Sequence, residues 1–346
     1  MERPAASPSS DERPRRRASG DRVRTAVLRP EFGVLLAAVV LYVFFAAVAG
    51  GKGFLTQDAT AGWLGSAAEI GIVALGASCL LIAGEFDLSI GSMVGAGSAV
   101  MGIGVGHYGL SIWVCVAIAA LLAIAVGLTN AFLTLRTGLP SFIVTLAMML
   151  AVVGASLGMG RLLTGTTNLT VPSDGVAHVV FGGSFGALSS TVFWWFGLGA
   201  LIAWMLRRTV FGNWTYAVGG DIDAATTNGV PVARVKASLF VLSSLCATLV
   251  GVLQTVQFSS GDATRGADFV FSAVAAAVIG GVLLSGGYGT VTGIMIGGLT
   301  YGIVNIGVFY TGWSTDWTSL FLGALVLLAV LANDYFRKLA LAAGKK

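Results

Sequence analysis

The chain has 346 residues, 56% hydrophobic and only 10% charged, with a mean hydropathy of +0.87. That is too little charge to wet a soluble surface of this size, so a soluble globular protein is excluded and a polytopic, all-α membrane protein is expected. The net charge of +4 and the pI near 9.1 come largely from an Arg-rich N-terminal tail, so they do not point to a nucleic-acid partner.

In chain order, residues 1–30 ("MERPAASPSSDERPRRRASGDRVRTAVLRP") read as a disordered basic tail. An apolar run from Phe32 to Ala49 follows. Its "AAVAG" ending resembles a signal-peptide cleavage site, but the run is long for a signal segment and further spans follow, so it reads as a membrane span. Spans are predicted at 32–50, 63–82, 89–107, 110–133, 141–160, 190–206, 236–258, 270–284, 288–309 and 318–336, about ten within a transmembrane domain over 31–338. Residues 339–346 read as a second tail. Arg136, Arg207, Arg208, Arg234, Lys236 and the C-terminal Arg337, Lys338, Lys345 and Lys346 fall in alternate loops, so both termini are expected on the cytoplasmic side of a bacterial inner membrane.

Two loops exceed simple connections: an external one from about Arg161 to Ser190 and an internal one from about Arg207 to Val235. In the internal loop, Gly219-Gly220 closes one element and Asp221 is placed to cap a short helix over residues 222–228. Gly229 stops that helix, and Pro231 prevents its continuation. Ala224 and Ala225 give the short helix a small-residue face suited to the groove of another protein.

The sequence contains no phosphate-cradling GxxxxGK[ST], no GxSxG and no HExxH. Cys79, Cys115 and Cys246 are far apart within apolar runs, and His107 and His178 stand alone, so no cofactor, metal or catalytic site is assigned. The charged residues of the early spans are Glu69, Glu85 and Asp87; Asn130, Gln254 and Asn305 are scattered singly. Glu85, Asp87, Ser89, Asn130 and Asn305 are candidates for a transport path or for helix capping. In one reading residues 84–89 are a tight turn on the inside, with Asp87 or Ser89 capping the next helix. In the other they break the helix at membrane depth and line a path, since a bare carboxylate facing lipid costs about 2.5–3.5 kcal/mol. Capping is the simpler role for Asp87 and Ser89; Glu85 stays open. A faint echo aligns "GEFDLSIGSMVG" with "GGYGTVTGIMIG", matching Gly84, Gly91, Met93 and Gly95 with Gly286, Gly293, Met295 and Gly297.

Four segments, in order over roughly residues 60–335, resemble the permease subunits of bacterial ABC importers for ribose and other simple sugars. They are "AGEFDLSIGSMVG", "GLTNAFLTLRTGLPSFIVTLAMM", "AVGGDIDAATTNGVPVARVK" and "AAAVIGGVLLSGGYGTVTGIMIGGL". Glu85 stands where the family usually has Gly, Asp221 where Asn is common and Ser141 where Pro is common. The resemblance implies a permease without its own ATPase site. It would pair with a second permease subunit, take energy from a separate ABC ATPase and receive a monosaccharide or related polyol from an extracytoplasmic sugar-binding protein. It also implies that Gly219, Gly220, Asp221, Ala224, Ala225 and Gly229 form the ATPase-coupling loop. A branched-chain amino-acid ABC permease and an ion-coupled secondary transporter titrating at Glu69, Glu85 or Asp87 are the alternatives.

Overall fold

A computed structural model describes residues 30–173, 175–314 and 316–343. The N-terminal tail up to residue 29 and the last three residues lie outside the described residues. Apolar helices stand at all ten predicted positions: α1 (Pro30–Ala49), α2 (Gln57–Ile82), α3 (Ile90–Met101, continued by a π-helical stretch Gly102–His107), α4 (Ile112–Thr137), α5 (Ser141–Thr164), α7 (Ser190–Arg208), α10 (Val232–Gln257), α11 (Phe269–Ile279), α12 (Val291–Thr311) and α13 (Trp317–Ala343). Eight of the described helices are long and apolar enough to cross a membrane. The chain is therefore a polytopic helical membrane protein. The external loop holds strand β1 (Asn168–Thr170), helix α6 (Gly175–Phe181) and the small hairpin β2 (Ser184–Phe185) and β3 (Leu188–Ser189). The internal loop holds α8 (Val210–Gly220) and α9 (Ile222–Thr227).

Local chemistry sets the helix ends. Thr56 opens α2 by accepting from the Ala59 amide, and Thr290 opens α12 by accepting from Gly293. α4, α5 and α12 each end on a glycine at positive φ: Gly138, Gly165 and Gly312.

The buried centre is α2, α3 and α10, with α12 beside them; α1 and α5 lie at the periphery. Glycine makes the close packing possible. A Cβ on Gly251 of α10 would lie 2.1 Å from the Val94 carbonyl oxygen of α3, and one on Gly302 of α12 would lie 2.3 Å from the Trp63 carbonyl oxygen of α2. Without a hydrophobic drive between helices in lipid, such backbone proximity supplies the van der Waals contact that holds them together. Cys79, Cys115 and Cys246 are buried and free.

One span departs from expectation. The stretch predicted at 270–284 is an 11-residue helix, Phe269–Ile279, about 16 Å long, against about 30 Å of hydrocarbon. The missing length is crossed by the segment before it. β4 (Ser260–Asp262) pairs antiparallel with β1, Asn168 opposite Asp262 and Thr170 opposite Ser260. The chain then descends along α3: Gly261 lies against Gly102, the Ala263 and Arg265 carbonyls against Gly95, and Gly266 against Gly91. Non-helical backbone at this depth is tolerated because protein encloses it.

Gly251→Val is expected to lower the abundance of folded protein and its melting temperature in detergent, since overpacking costs about 1–3 kcal/mol or more. Gly154→Val, on α5 with open space around its Cα, should leave both unchanged. Equal behaviour of the two variants would contradict close α3–α10 packing.

Candidate functional site

The segment 84–89 is a break between α2 and α3, and the amides of Gly84, Glu85, Phe86, Leu88 and Ser89 are answered from nearby. Gly84, at φ +82°, ends α2 with its amide on the Leu81 carbonyl, and Glu85 N–H donates to Leu80. Phe86 N–H donates to Ser141 Oγ (3.0 Å) and Leu88 N–H to Thr145 Oγ1 (3.0 Å), both on α5. Asp87 Oδ1 accepts from Ser89 N–H (2.9 Å) and Ser89 Oγ (2.5 Å), and Oδ2 accepts from Ser243 Oγ of α10 (2.9 Å). Asn130 of α4 donates to Ser89 Oγ (2.9 Å). A continuous chain Asn130–Ser89–Asp87–Ser243 thus ties α4 to α10 through the break.

This geometry differs from the capping expected for Asp87 and Ser89. Asp87 closes over the amide of Ser89 and does not reach the first-turn amides of α3, and Ser89 makes no side-chain cap. Ser243 stands near the middle of α10, so Asp87 is held well inside the bundle, while Gly84 at the end of α2 is exposed. Yet Asp87, Ser89, Asn130 and Ser243 are all buried in protein, and none lines an open path. Desolvated carboxylate oxygens need this full set of donors.

Glu85 has a partner that local pattern does not reveal. Lys236, one turn into α10, forms a buried ion pair with it. Lys236 counted as an inside-loop cation in the sequence; in the fold it points into the bundle. Asn305 is not part of this cluster and donates to Ser66 Oγ of α2 (3.1 Å).

The internal loop folds back against the same end. After α7, Thr209 accepts from Gly212 N–H and starts α8. Asp221 then caps α9, its Oδ1 accepting from the amides of Asp223 (3.0 Å) and Ala224 (2.9 Å). Gly229, at φ +76°, follows α9, and Pro231 precedes α10. The two alanines part company: Ala225 is buried, whereas Ala224 is exposed beside Ile222, Asp223, Thr226 and Thr227. The outward face is therefore Ile222 and Ala224 with a polar rim.

α8 joins this loop to the break. A Cβ on Gly219 would lie 1.7 Å from the Ile82 carbonyl oxygen, the last residue of α2, so no other residue fits there. Gly287 N–H donates to the same Ile82 oxygen (2.8 Å), and a Cβ on Gly286 would lie 3.0 Å from Gly84 Cα. Tyr216 OH donates to the Gly289 carbonyl (2.8 Å). Three backbones, from α2, α8 and the 284–289 turn, meet here, with the Ile82 side chain packed against Gly289. Gly84 and Gly286, matched in the sequence echo, both have φ +82° and face each other here. Gly220 takes part as well: a Cβ on Gly287 would lie 3.0 Å from Gly220 Cα, although one on Gly220 itself would meet open space.

Comparison with known proteins places this arrangement. Residues 59–330 match the family model described as branched-chain amino acid transport system / permease component. The chain is 33% identical over 309 residues to the L-arabinose ABC transporter permease protein of Azospirillum brasilense, covering 88% of each chain. It is 32% identical over 266 residues to the ribose import permease protein of Escherichia coli strain K12, covering 76% of this chain and 81% of that one. It is 30% identical over 316 residues to the fructose import permease protein of Rhizobium meliloti, covering 88% and 86%. No solved structure matches it.

Removing one member of the Glu85–Lys236 pair leaves a buried charge uncompensated, at a cost of about 3–5 kcal/mol. Lys236→Met and Glu85→Met are each expected to reduce folded protein sharply, and the double variant to recover most of it in a thermal melt. A double variant as unstable as the sum of the singles would show that the two charges are not coupled.

Proposed function

The chain belongs to the family of permease components just described, and from that premise we propose that it is the membrane-spanning subunit of an ATP-driven ABC importer for a monosaccharide. It is a transport component and not itself an enzyme. The family description names branched-chain amino acids, but relatives at 30% identity or more over most of the chain carry arabinose, ribose and fructose in their names, which favours a sugar.

The observation that carries the mechanism is the docking of the α8–α9 unit onto the end of α2. In the proposal a separate ABC ATPase grips the exposed face of α9 around Ala224 and Ile222. Closure of the ATPase pushes α9 as a rigid body, and α8 passes the push on through the Gly219–Ile82 contact. Because that contact is backbone on backbone, little compliance separates the push from the break at 84–89. An extracytoplasmic sugar-binding protein delivers cargo at the opposite end, and a second permease subunit completes the path. The α9 end then faces the cytoplasm of a bacterial inner membrane. The start of α1 lies on that side as well: Lys52, just past its far end, donates to the Thr311 carbonyl at the far end of α12. Both termini are accordingly assigned to the cytoplasm.

An ion-coupled mechanism at Glu85 or Asp87 fits less well. Glu85 is held by Lys236, and both oxygens of Asp87 are occupied by hydroxyl and amide donors.

Ala224→Arg places a charged side chain on the exposed face without disturbing the bundle. The variant is expected to insert at normal abundance, fail to co-purify with its ATPase and support no uptake. Assembly and uptake at the unmodified rate would reduce α9 to a connector. Ala225→Arg is unsuitable for this purpose, since Ala225 is buried and the change would disturb folding first.

A further inference from the structure

The coupling loop meets the break on two sides, and the two contacts differ in kind. On one side α8 bears on the end of α2: the Gly219 backbone lies against the Ile82 carbonyl oxygen, and a Cβ on Gly84 would lie 3.8 Å from Gly219 Cα. No hydrogen bond joins α8 to α2 among the described residues; the Tyr216 hydroxyl donates to the Gly289 carbonyl instead. Close-packed backbones resist approach, so this contact carries a push. It has little to oppose separation.

On the other side is α10. Only residues 228–231 separate it from α9, and this junction is hydrogen-bonded within itself. Asn228 N–H donates to the Ala224 carbonyl (3.0 Å), Val230 N–H to Ala225 (3.0 Å) and Val235 N–H to Pro231 (3.1 Å). The start of α10 is therefore tied to α9. Lys236 there forms the buried ion pair with Glu85, and Ser243, two turns farther along the same face, donates to Asp87 Oδ2 (2.9 Å). Each side chain of the pair is 11% exposed, so parting them would leave both charges short of water. The pair is attractive, and it resists separation where the backbone contact does not. α10 thus grips residues 85 and 87, while α8 bears on residue 82.

We propose that Glu85 and Lys236 are positioning residues for the return half of the transport cycle. When the ATPase closes, α8 pushes the end of α2. When it reopens, α10 withdraws with α9, and the ion pair draws residues 84–89 back with it. The proposal rests on the reading of α9 as the coupling helix and adds to it the link that pulls. Stability asks only that neither buried charge be left alone; a pulling link asks that the two attract each other while the helices move.

The test is the amount of sugar imported per ATP hydrolysed, in proteoliposomes holding the permease, its ATPase and its binding protein. The sugar is whichever of radiolabelled L-arabinose, D-ribose, D-xylose and D-fructose the unmodified complex imports fastest. The double variant Glu85→Met with Lys236→Met removes the attraction without stranding a charge. It is expected to bind the ATPase and hydrolyse ATP but to import about tenfold less sugar per ATP. Lys236→Arg keeps the opposite charges and is expected to stay close to the unmodified ratio. A pair that serves stability alone would change abundance and melting temperature and leave this ratio, taken per folded copy, where it was. An unmodified or raised ratio in the double variant would therefore overturn the proposal, and so would an equal loss in Lys236→Arg. Should the double variant not accumulate, Glu85→Gln decides in its place: it keeps the shape and lacks the charge, and an unmodified ratio there overturns the proposal equally. Normal import by Ala224→Arg would instead remove the coupling reading itself. If the unmodified complex imports none of the four sugars, the importer reading fails and the pulling link falls with it.

Discussion

Inside a bilayer every backbone N–H and C=O needs a partner, and a helix that stops at membrane depth strands several at once. The rest of this structure is arranged around one such stop, between Ile82 and Ile90. Protein side chains take three of the freed amides there. Ser141 and Thr145 of α5 take those of Phe86 and Leu88, and Asp87 takes that of Ser89. Each of those acceptors must itself be buried and held, which is why Ser243 and Asn130 are also drawn in. Three helices, α4, α5 and α10, are thereby fixed around six residues of irregular chain.

The break also explains where the glycines fall. Irregular backbone packs closely only where neighbouring backbones can approach, and side chains would prevent this. Gly219 and Gly286 bring α8 and the 284–289 turn onto the last turn of α2, and Gly91, Gly95 and Gly102 admit the descending segment after β4. The two sets act at opposite ends of the same element. One connects the break to α8 and the other to the strand pair β1–β4.

Much of this was legible in residue order, and the limits are physical. Hydropathy located all ten apolar helices, because length and apolarity are local properties. Asp221 and Gly229 marked the ends of α9, because capping and left-handed turns depend on adjacent residues. The short α11 was misjudged: a window average cannot see that Gly280 and Gly281 stop the helix while equally apolar chain continues beyond. Lys236 was read as a loop cation because its partner, Glu85, is 151 residues away. The same distance hid the reason that Glu85 is tolerated where the resembled segment carries Gly. Asp87 and Ser89 stand out in the sequence as polar residues in an apolar run, but a sequence pattern does not separate a helix cap from a carboxylate cross-linking two other helices. The split between buried Ala225 and exposed Ala224 depends on how α9 rolls against the bundle, which neighbouring elements decide.

The central claim is that within the break at 84–89 the amides of Phe86, Leu88 and Ser89 are bonded to protein side chains. Hydrogen–deuterium exchange of the permease in lipid nanodiscs, resolved for peptides spanning 84–90, tests it most directly. The amides of Phe86, Leu88 and Ser89 are predicted to exchange as slowly as those of the adjoining turns of α2 and α3. Exchange within seconds, at the rate of an exposed loop, would contradict the account.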